Sequence, residues 1–290
     1  MGLRTKFNLA LITVFAVGLA VTGLASYEML QRHARDEVVQ QAGIMIEAAL
    51  AVRDYTVKHV TPHLELQNLR VFMPQSVDAF AAIETFKALR NKYPEFSYRE
   101  AALNPTNPRN RAIEWEADIV QAFRHNANKT EVIGERETPN GKALYLARPI
   151  QIKERACLSC HGNPEAAPAT MTRLYGTANG FGWKVDEIIG AQIISVPMSL
   201  PIAKAHKAFY TFMASLIGIF AALFVILNLM LHFFIIRPLA HMASAADAIS
   251  TGNLALLDLP ATGEDEVATL ARAFNRLRRS VEKAMKMIEG

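Results

Sequence analysis

Two long apolar runs dominate the hydrophobic pattern of the chain. Phe7 to Tyr27 reads "FNLALITVFAVGLAVTGLASY" and Ala208 to Ile236 reads "AFYTFMASLIGIFAALFVILNLMLHFFII", with no Asp, Glu, Lys or Arg in either. Each reaches the roughly twenty residues that a helix needs to cross the hydrocarbon core, so the pattern predicts two membrane spans around a mixed polar and apolar middle region. Arg4 and Lys6 precede the first run and Arg237 follows the second, which places both termini on the cytoplasmic side. Lys204 and Lys207 act against that bias, but two spans return the C-terminus to the side of the N-terminus. The expected location is a bacterial inner membrane, with the middle region in the periplasm. A cleaved signal peptide is the competing reading of the first run, from its basic start and the small residues of "GLAS"; its length exceeds the usual signal core.

The middle region opens with a helical period. In "EMLQRHARDEVVQQAGIMIEAALAVRDYTVKHV", Ile44, Ala48, Val52 and Tyr55 recur at three and four, predicting a long amphipathic helix that Pro62 ends or kinks. "SVDAFAAIETFKALRNKYP" is a second helix by the same spacing, with Ser76 as cap and Pro94 as stop. Two Asn-Pro pairs in "LNPTNPRN" make an extended turn before a helix from about Arg111 to Phe123. The period then shortens. "TEVIGERETPNGKALYLARPIQI" reads as two strands around a Pro-Asn-Gly hairpin turn. After a Gly-rich loop, "YGTANGFGW", the β-branched residues of "EIIGAQIISVPM" predict a further strand. Helices beside a small antiparallel sheet give an α+β class.

Beyond the second span, Leu239, Met242, Ala246 and Ile249 form one short helical stripe, ended by Gly252. Val267, Leu270, Phe274, Leu277, Val281 and Met285 form a second, heptad-like stripe. The connector "NLALLDLP" between them carries leucines suited to packing along a bundle.

Composition sharpens this picture at one place. The chain of 290 residues carries a formal charge of +4, summed over two compartments, and no basic run with interleaved aromatics; nucleic acid is not an expected partner. Its two cysteines both fall in "RACLSCHG", as Cys157 and Cys160, followed at once by His161. Covalent haem attachment needs two thiols for the two vinyl groups and a neighbouring histidine as proximal ligand to the iron, and Cys157, Cys160 and His161 supply that set. Zinc would need a second ligand pair; His59 and His63 lie four apart but about a hundred residues upstream, on a predicted polar helical face. A thioredoxin-like redox pair would want a βαβ setting. A disulfide closing a two-residue loop would add little stability. One covalent haem c is therefore the expected cofactor, on the side of the membrane where such attachment takes place.

The sixth iron position has His33, His59, His63 and His125, and Met45, Met73, Met171 and Met198, as candidates in the middle region. His59 or His63 is favoured because the long helix can bring a histidine over the haem face, and Met171 comes next; an open, five-coordinate iron would suit a gas sensor. No nucleophile with an adjacent base, phosphate loop, kinase or cyclase sequence is present, so no enzyme is expected. His206, His232 and His241 lie in no kinase-like setting. Trp115 and Trp183 are expected in core or haem-pocket packing.

The stretches "VRDYTVKHVTP", "FMPQSVDAFAA", "LNPTNPRNRAIEWEADIVQAF", "ARPIQIKERACLSCHG" and "YGTANGFGWKVDEIIGAQIISVPM" resemble the periplasmic haem c sensor domains with a PAS-like fold, over about Ser26 to Ala205. The tail from Ile236 to Met287 is similar to a HAMP linker through Pro238, Gly252 and "GEDEVATLARAFNRL". The resemblance implies a PAS-like sheet holding haem through Cys157, Cys160 and His161, a homodimer whose HAMP helices form a parallel four-helix bundle, and Glu264 or Glu266 steadying the connector. Some members of that haem family use a cysteine thiolate as sixth ligand; this chain has no spare cysteine, so that feature does not carry over. HAMP linkers precede a kinase, a chemoreceptor-type domain or a cyclase, whereas here the sequence stops at Gly290, so the effector is expected to be a separate or missing one.

The expected organisation is thus a cytoplasmic tip and first span over 1–27, a periplasmic PAS-like haem c domain over 28–207, a second span over 208–236 and a cytoplasmic HAMP region over 237–290. The expected function is a haem c sensor of redox state or a diatomic gas, signalling across the membrane; a membrane-anchored monohaem electron-transfer cytochrome is the alternative.

Overall fold

A computed structural model of the chain describes residues 1–139, 141–251 and 258–289. They form two compact units, Tyr27–Ala208 and a unit made of Met1–Ser26 with Phe209–Gly290.

In the first unit, helix α1 (Leu3–Tyr55) contributes a stripe at steps of three and four, with Ala34, Val38, Ala42, Ile46 and Ala49 buried. The small residues in that stripe let the helix backbone approach the sheet closely. A π-helical turn, Thr56–Val60, leads into α2 (Thr61–Asn68). Two threonine hydroxyls fasten it: Thr56 Oγ1 donates to the Val52 carbonyl at 2.8 Å, and Thr61 Oγ1 lies 3.0 Å from the Thr56 carbonyl and 2.8 Å from that of Ser76. The long α-helix ends ahead of Pro62: α1 stops at Tyr55, the π turn follows, and Pro62 stands in the first turn of the separate helix α2, where a missing N–H costs no bond of that helix.

Helix α3 spans Asp78–Leu89. Ser76 is not its cap, as expected from sequence, because a 3₁₀ turn at Pro74–Ser76 directs the hydroxyl back to the Met73 carbonyl at 2.7 Å, where it also receives the Asn68 amide at 2.9 Å. The first turn of α3 is stabilised by the charge of Asp78 instead.

The sheet has the order β1-β4-β3-β2, antiparallel throughout, from β1 (Ser97–Ala102), β2 (Val132–Thr138), β3 (Gly141–Gln151) and β4 (Ile188–Pro197). The hairpin and the last strand follow the sequence expectation, although Asn140 of its turn lies outside the described residues. Strand β4 is central, which is why its β-branched residues are buried on both faces. Strand β1 was not foreseen: "SYREAA" has neither β-branched residues nor a simple apolar alternation, and pairing with β4 imposes its conformation.

The two faces of the sheet carry separate cores. Tyr98, Leu144, Leu146, Ile194 and Val196 face Val38, Ala42 and Ile46 of α1 and Ala82 and Phe86 of α3. Ala101, Ala147, Ala191 and Ile193 face Ile119, Val120 and Phe123 of α4 (Glu114–His125) on the other side. Between β3 and β4 lie the short helices α5 (Leu158–His161) and α6 (Ala169–Tyr175).

In the second unit, the apolar parts of α1 and of α7 (Ser199–Met230) are long enough to cross a membrane. Leu9, Val14 and Val21 on one, and Ile217, Val225 and Ile226 on the other, are exposed, while Phe15 and Phe220 stack at 4.8 Å. After a π-helical turn at Leu231–Ile236 come α8 (Arg237–Ser250) and α9 (Glu266–Glu289). Gly252 and most of the connector expected to pack along a bundle lie outside the described residues. The acidic residue that caps the start of α9 is Asp265, whose Oδ1 accepts the Ala268 N–H at 2.7 Å. Asn275 holds the connector at Leu259 through both amide atoms, each at 2.9 Å.

Candidate functional site

Cys157 closes a 3₁₀ turn (Arg155–Cys157) and Cys160 and His161 follow in the single turn of α5, which Gly162 ends. Both cysteines are unpaired and half-buried. Burial pushes the Cys157 thiol above its ordinary value, the reverse of what a nucleophilic redox thiol needs.

His161 is held from three directions. Its Nδ1 lies 2.8 Å from the Gly180 carbonyl, which only accepts, so Nδ1 carries the proton and Nε2 keeps its lone pair. Thr106 Oγ1 stands 3.2 Å from the same nitrogen. Trp183 lies flat on the imidazole, with ring centroids 3.9 Å apart and planes 15° from parallel. The loop that provides these contacts is clasped to α5 by Gly182 N–H to Gly162 O at 2.8 Å and Trp183 N–H to His161 O at 3.2 Å. Burial lowers the pKa of His161, which keeps the ring neutral and therefore able to ligate a metal. A ring nitrogen fixed by a carbonyl acceptor, with the other left free, is the arrangement that orients a metal-ligating histidine.

Gly180 is a positional requirement here. Its φ is +79°, and a Cβ would lie 2.0 Å from Thr106 Oγ1 and 2.7 Å from Thr106 Cα. Among the described residues, no three His, Cys, Asp or Glu side chains gather where they could hold a bare metal ion.

The remaining candidates are dispersed. His59, on the π turn, is exposed and tilted against Tyr55 at 5.2 Å; His63, on α2, is exposed. Met171 is buried in α6. These two elements are joined, since Thr170 Oγ1 donates to the Asn68 carbonyl at 2.7 Å and Tyr175 meets Phe72 edge-on at 5.9 Å. Met45 and Met198 belong to the core under α1, His33 is exposed, His125 bonds the Gln121 carbonyl at 2.7 Å, and the Met73 N–H is held by Asn68. Sequence reasoning missed Thr106 and Gly180. The "LNPTNP" turn and the Gly-rich "TANGFGW" were visible, but nothing in either says that it meets the other at His161.

A buried charged network lies beneath α1. Arg53 donates to Glu100 Oε2 at 2.7 Å and pairs with Asp78 at 2.8 Å, while the Tyr98 hydroxyl donates to Glu100 Oε1 at 2.5 Å and receives Gln192 Nε2 at 3.2 Å. Asp78 also acts electrostatically on both Cys157 and His161.

Comparison with known proteins matches this chain in two places. Residues 230–283 match the HAMP domain, so the chain is built as a sensor-type domain with a HAMP linker. Residues 31–197, more than half of the chain, match the family described as Tll0287-like, and the chain belongs to that family. A similar solved structure is the "Crystal structure of the cyanobacterial heme-protein Tll0287", at 17% identity and a TM-score of 0.42, over 56% of this chain and 95% of that one. Among curated proteins none matches.

Proposed function

We propose that the chain is a two-pass membrane sensor that carries one covalent haem c in a PAS-like periplasmic domain and signals through HAMP to a cytoplasmic effector. The observation that carries this reading is His161, neutral, proton on Nδ1 and Nε2 free, directly after a Cys-x-x-Cys pair, in a chain that also has a HAMP domain. Cys157 and Cys160 would form the two thioethers, and His161 would be the proximal iron ligand. The donor set fits the group, because a single fixed imidazole suffices where a macrocycle supplies four nitrogens. A haem bound there supplies an iron that can change redox state or take up a diatomic ligand.

The protein's own part is to position and to transmit. Gly180 and Thr106 hold the imidazole plane from the Nδ1 side, and Trp183 closes one ring face to water. His59, His63 and Met171 remain the candidates for the opposite side of the iron. Both termini lie in the cytoplasm of a bacterial inner-membrane protein, as the flanking basic residues favour. HAMP switching needs a second copy of the chain, and Leu270 and Leu277, exposed on α9, would meet it in a parallel bundle. The effector would be of kinase, chemoreceptor or cyclase type.

Two measurements on the purified full chain test this reading. The reduced protein should show a c-type α band; a spectrum without one overturns the haem assignment. Disulfide crosslinking of Leu270→Cys or Leu277→Cys should change rate on reduction or on adding CO or NO. A c-type band with no crosslinking response would replace the sensor with a membrane-anchored electron carrier.

A further inference from the structure

On the α4 face of the sheet is a cavity of about 150 Å³ lined by Ser97, Arg99, Ile113, Trp115, Glu116, Arg136, Ile193 and Ser195. Its charges do not cancel. Glu116, 1% exposed, is consumed by the Arg99 guanidinium at 2.7 and 3.2 Å and by the Ile113 N–H at 3.0 Å, which neutralises Arg99. Arg136 lies over the Trp115 ring at 4.2 Å and has no ion-pair partner among the described residues. The Trp115 indole N–H is buried with no hydrogen-bond partner. An unmet buried donor is costly, and a lone cation beside it makes the cavity ask for an acceptor with negative charge.

The geometry points to a second ligand site, for a small aliphatic carboxylate. Its carboxylate would take Arg136, the Trp115 N–H and the hydroxyls of Ser97 and Ser195, which are register partners on β1 and β4 and both line the cavity. Its carbon tail would lie on Ile113 and Ile193. A cavity of this volume holds a ligand of about benzene's size, which sets the class at two to four carbons. One uncompensated cation with an apolar wall suits a monocarboxylate better than a doubly charged oxyanion such as phosphate, which has no apolar part to bury. The site lies on the sheet face opposite the core under α1, and it stands whether or not the haem reading does.

Calorimetric titration of the full chain in detergent, with and without haem, tests the assignment using propionate, pyruvate and inorganic phosphate. Propionate or pyruvate should bind saturably in both forms. Arg136→Ala should weaken it by about ten- to a hundredfold, the loss of one charge-assisted contact, and Arg136→Lys should recover part of it. Ser195→Leu, which fills the cavity, should abolish it, with circular dichroism confirming that each variant is folded. No binding by either carboxylate, binding indifferent to Arg136→Ala and Ser195→Leu, or binding of phosphate alone would each overturn the proposal.

Discussion

Trp183 and His161 lie face to face, 3.9 Å between ring centroids, on a loop and a helical turn that two backbone hydrogen bonds clasp together. The stack fixes the rotation of the imidazole about the bond that its Nδ1 contact leaves soft. Trp183→Ala removes it at a cost of about 1–2 kcal/mol, combining a lost aromatic pair with partial burial. In the proposed haem form the thioethers would need only the cysteines, so the variant should still carry the group. Its ferric electron paramagnetic resonance spectrum should broaden or split as the ring samples several orientations, and Trp183→Phe should restore most of the native line shape. An unchanged spectrum for Trp183→Ala would show that the Gly180 carbonyl and Thr106 orient the ring alone.

The loop glycines separate conformational strain from collision. Gly180 and Gly182 both have positive φ, at +79° and +76°, but a Cβ on Gly182 meets open space, whereas one on Gly180 runs into the Thr106 backbone. Gly182→Ala should cost about 1 kcal/mol from the left-handed backbone alone. Gly180→Ala should cost about 2 kcal/mol or more, because Thr106 must move away as well. Urea unfolding of the pair should show that order, and in the proposed haem form Gly180→Ala should also shift the spectrum through the displaced His161 acceptor. Equal costs would mean that Thr106 yields freely.

What could be read from sequence follows the range of the forces involved. The apolar runs, the β2–β3 hairpin and the Cys-x-x-Cys-His stretch are local patterns, and each is legible in the sequence as a pattern. The Ser76 expectation failed locally, because a 3₁₀ turn redirects its hydroxyl to the Met73 carbonyl. Strand β1 and the meeting of Thr106, Gly180 and His161 depend on contacts over tens of residues, which no periodicity encodes. The Trp115 cavity was equally hidden, since its parts come from β1, β2, β4 and the start of α4.

The Arg53, Glu100 and Tyr98 network should make stability depend on pH in a set direction. Burial raises the Glu100 carboxyl above the ordinary value of about 4.5, outweighing the opposing pull of Arg53 and of the Tyr98 hydroxyl. The folded chain then holds this proton more tightly than the unfolded chain, and unfolding releases it. Stability from this group is full below about 4.5 and declines as pH rises toward the raised folded value. In urea titrations the advantage of wild type over Glu100→Gln should therefore shrink as pH rises through that window. Arg53→Ala, which leaves a buried carboxylate without its main partner, should cost about 3–5 kcal/mol near neutral pH. A gap that widens with pH would show that ion pairing, not burial, governs Glu100.

Asn275 gives the HAMP region an equally specific test. It is buried, and its amide both accepts the Leu259 N–H and donates to the Leu259 carbonyl, so the side chain stands in for a strand partner to the connector. Asp258, next to Leu259, pairs with Arg278 and Arg279 of the same helix. Asn275→Ala leaves two backbone groups without their partner, at about 1 kcal/mol each where water can reach them. Asn275→Asp keeps the acceptor for the N–H and loses the donor, placing a charge at a site built for a neutral amide. Hydrogen exchange on the full chain in detergent should show Leu259 speeding up about tenfold or more in Asn275→Ala. The same amide should remain closer to the native rate in Asn275→Asp, because only the carbonyl contact is lost there. If Asn275→Ala leaves the Leu259 rate unchanged, the connector is held by the Asp258 pairs and its leucines, and the amide is not its clamp.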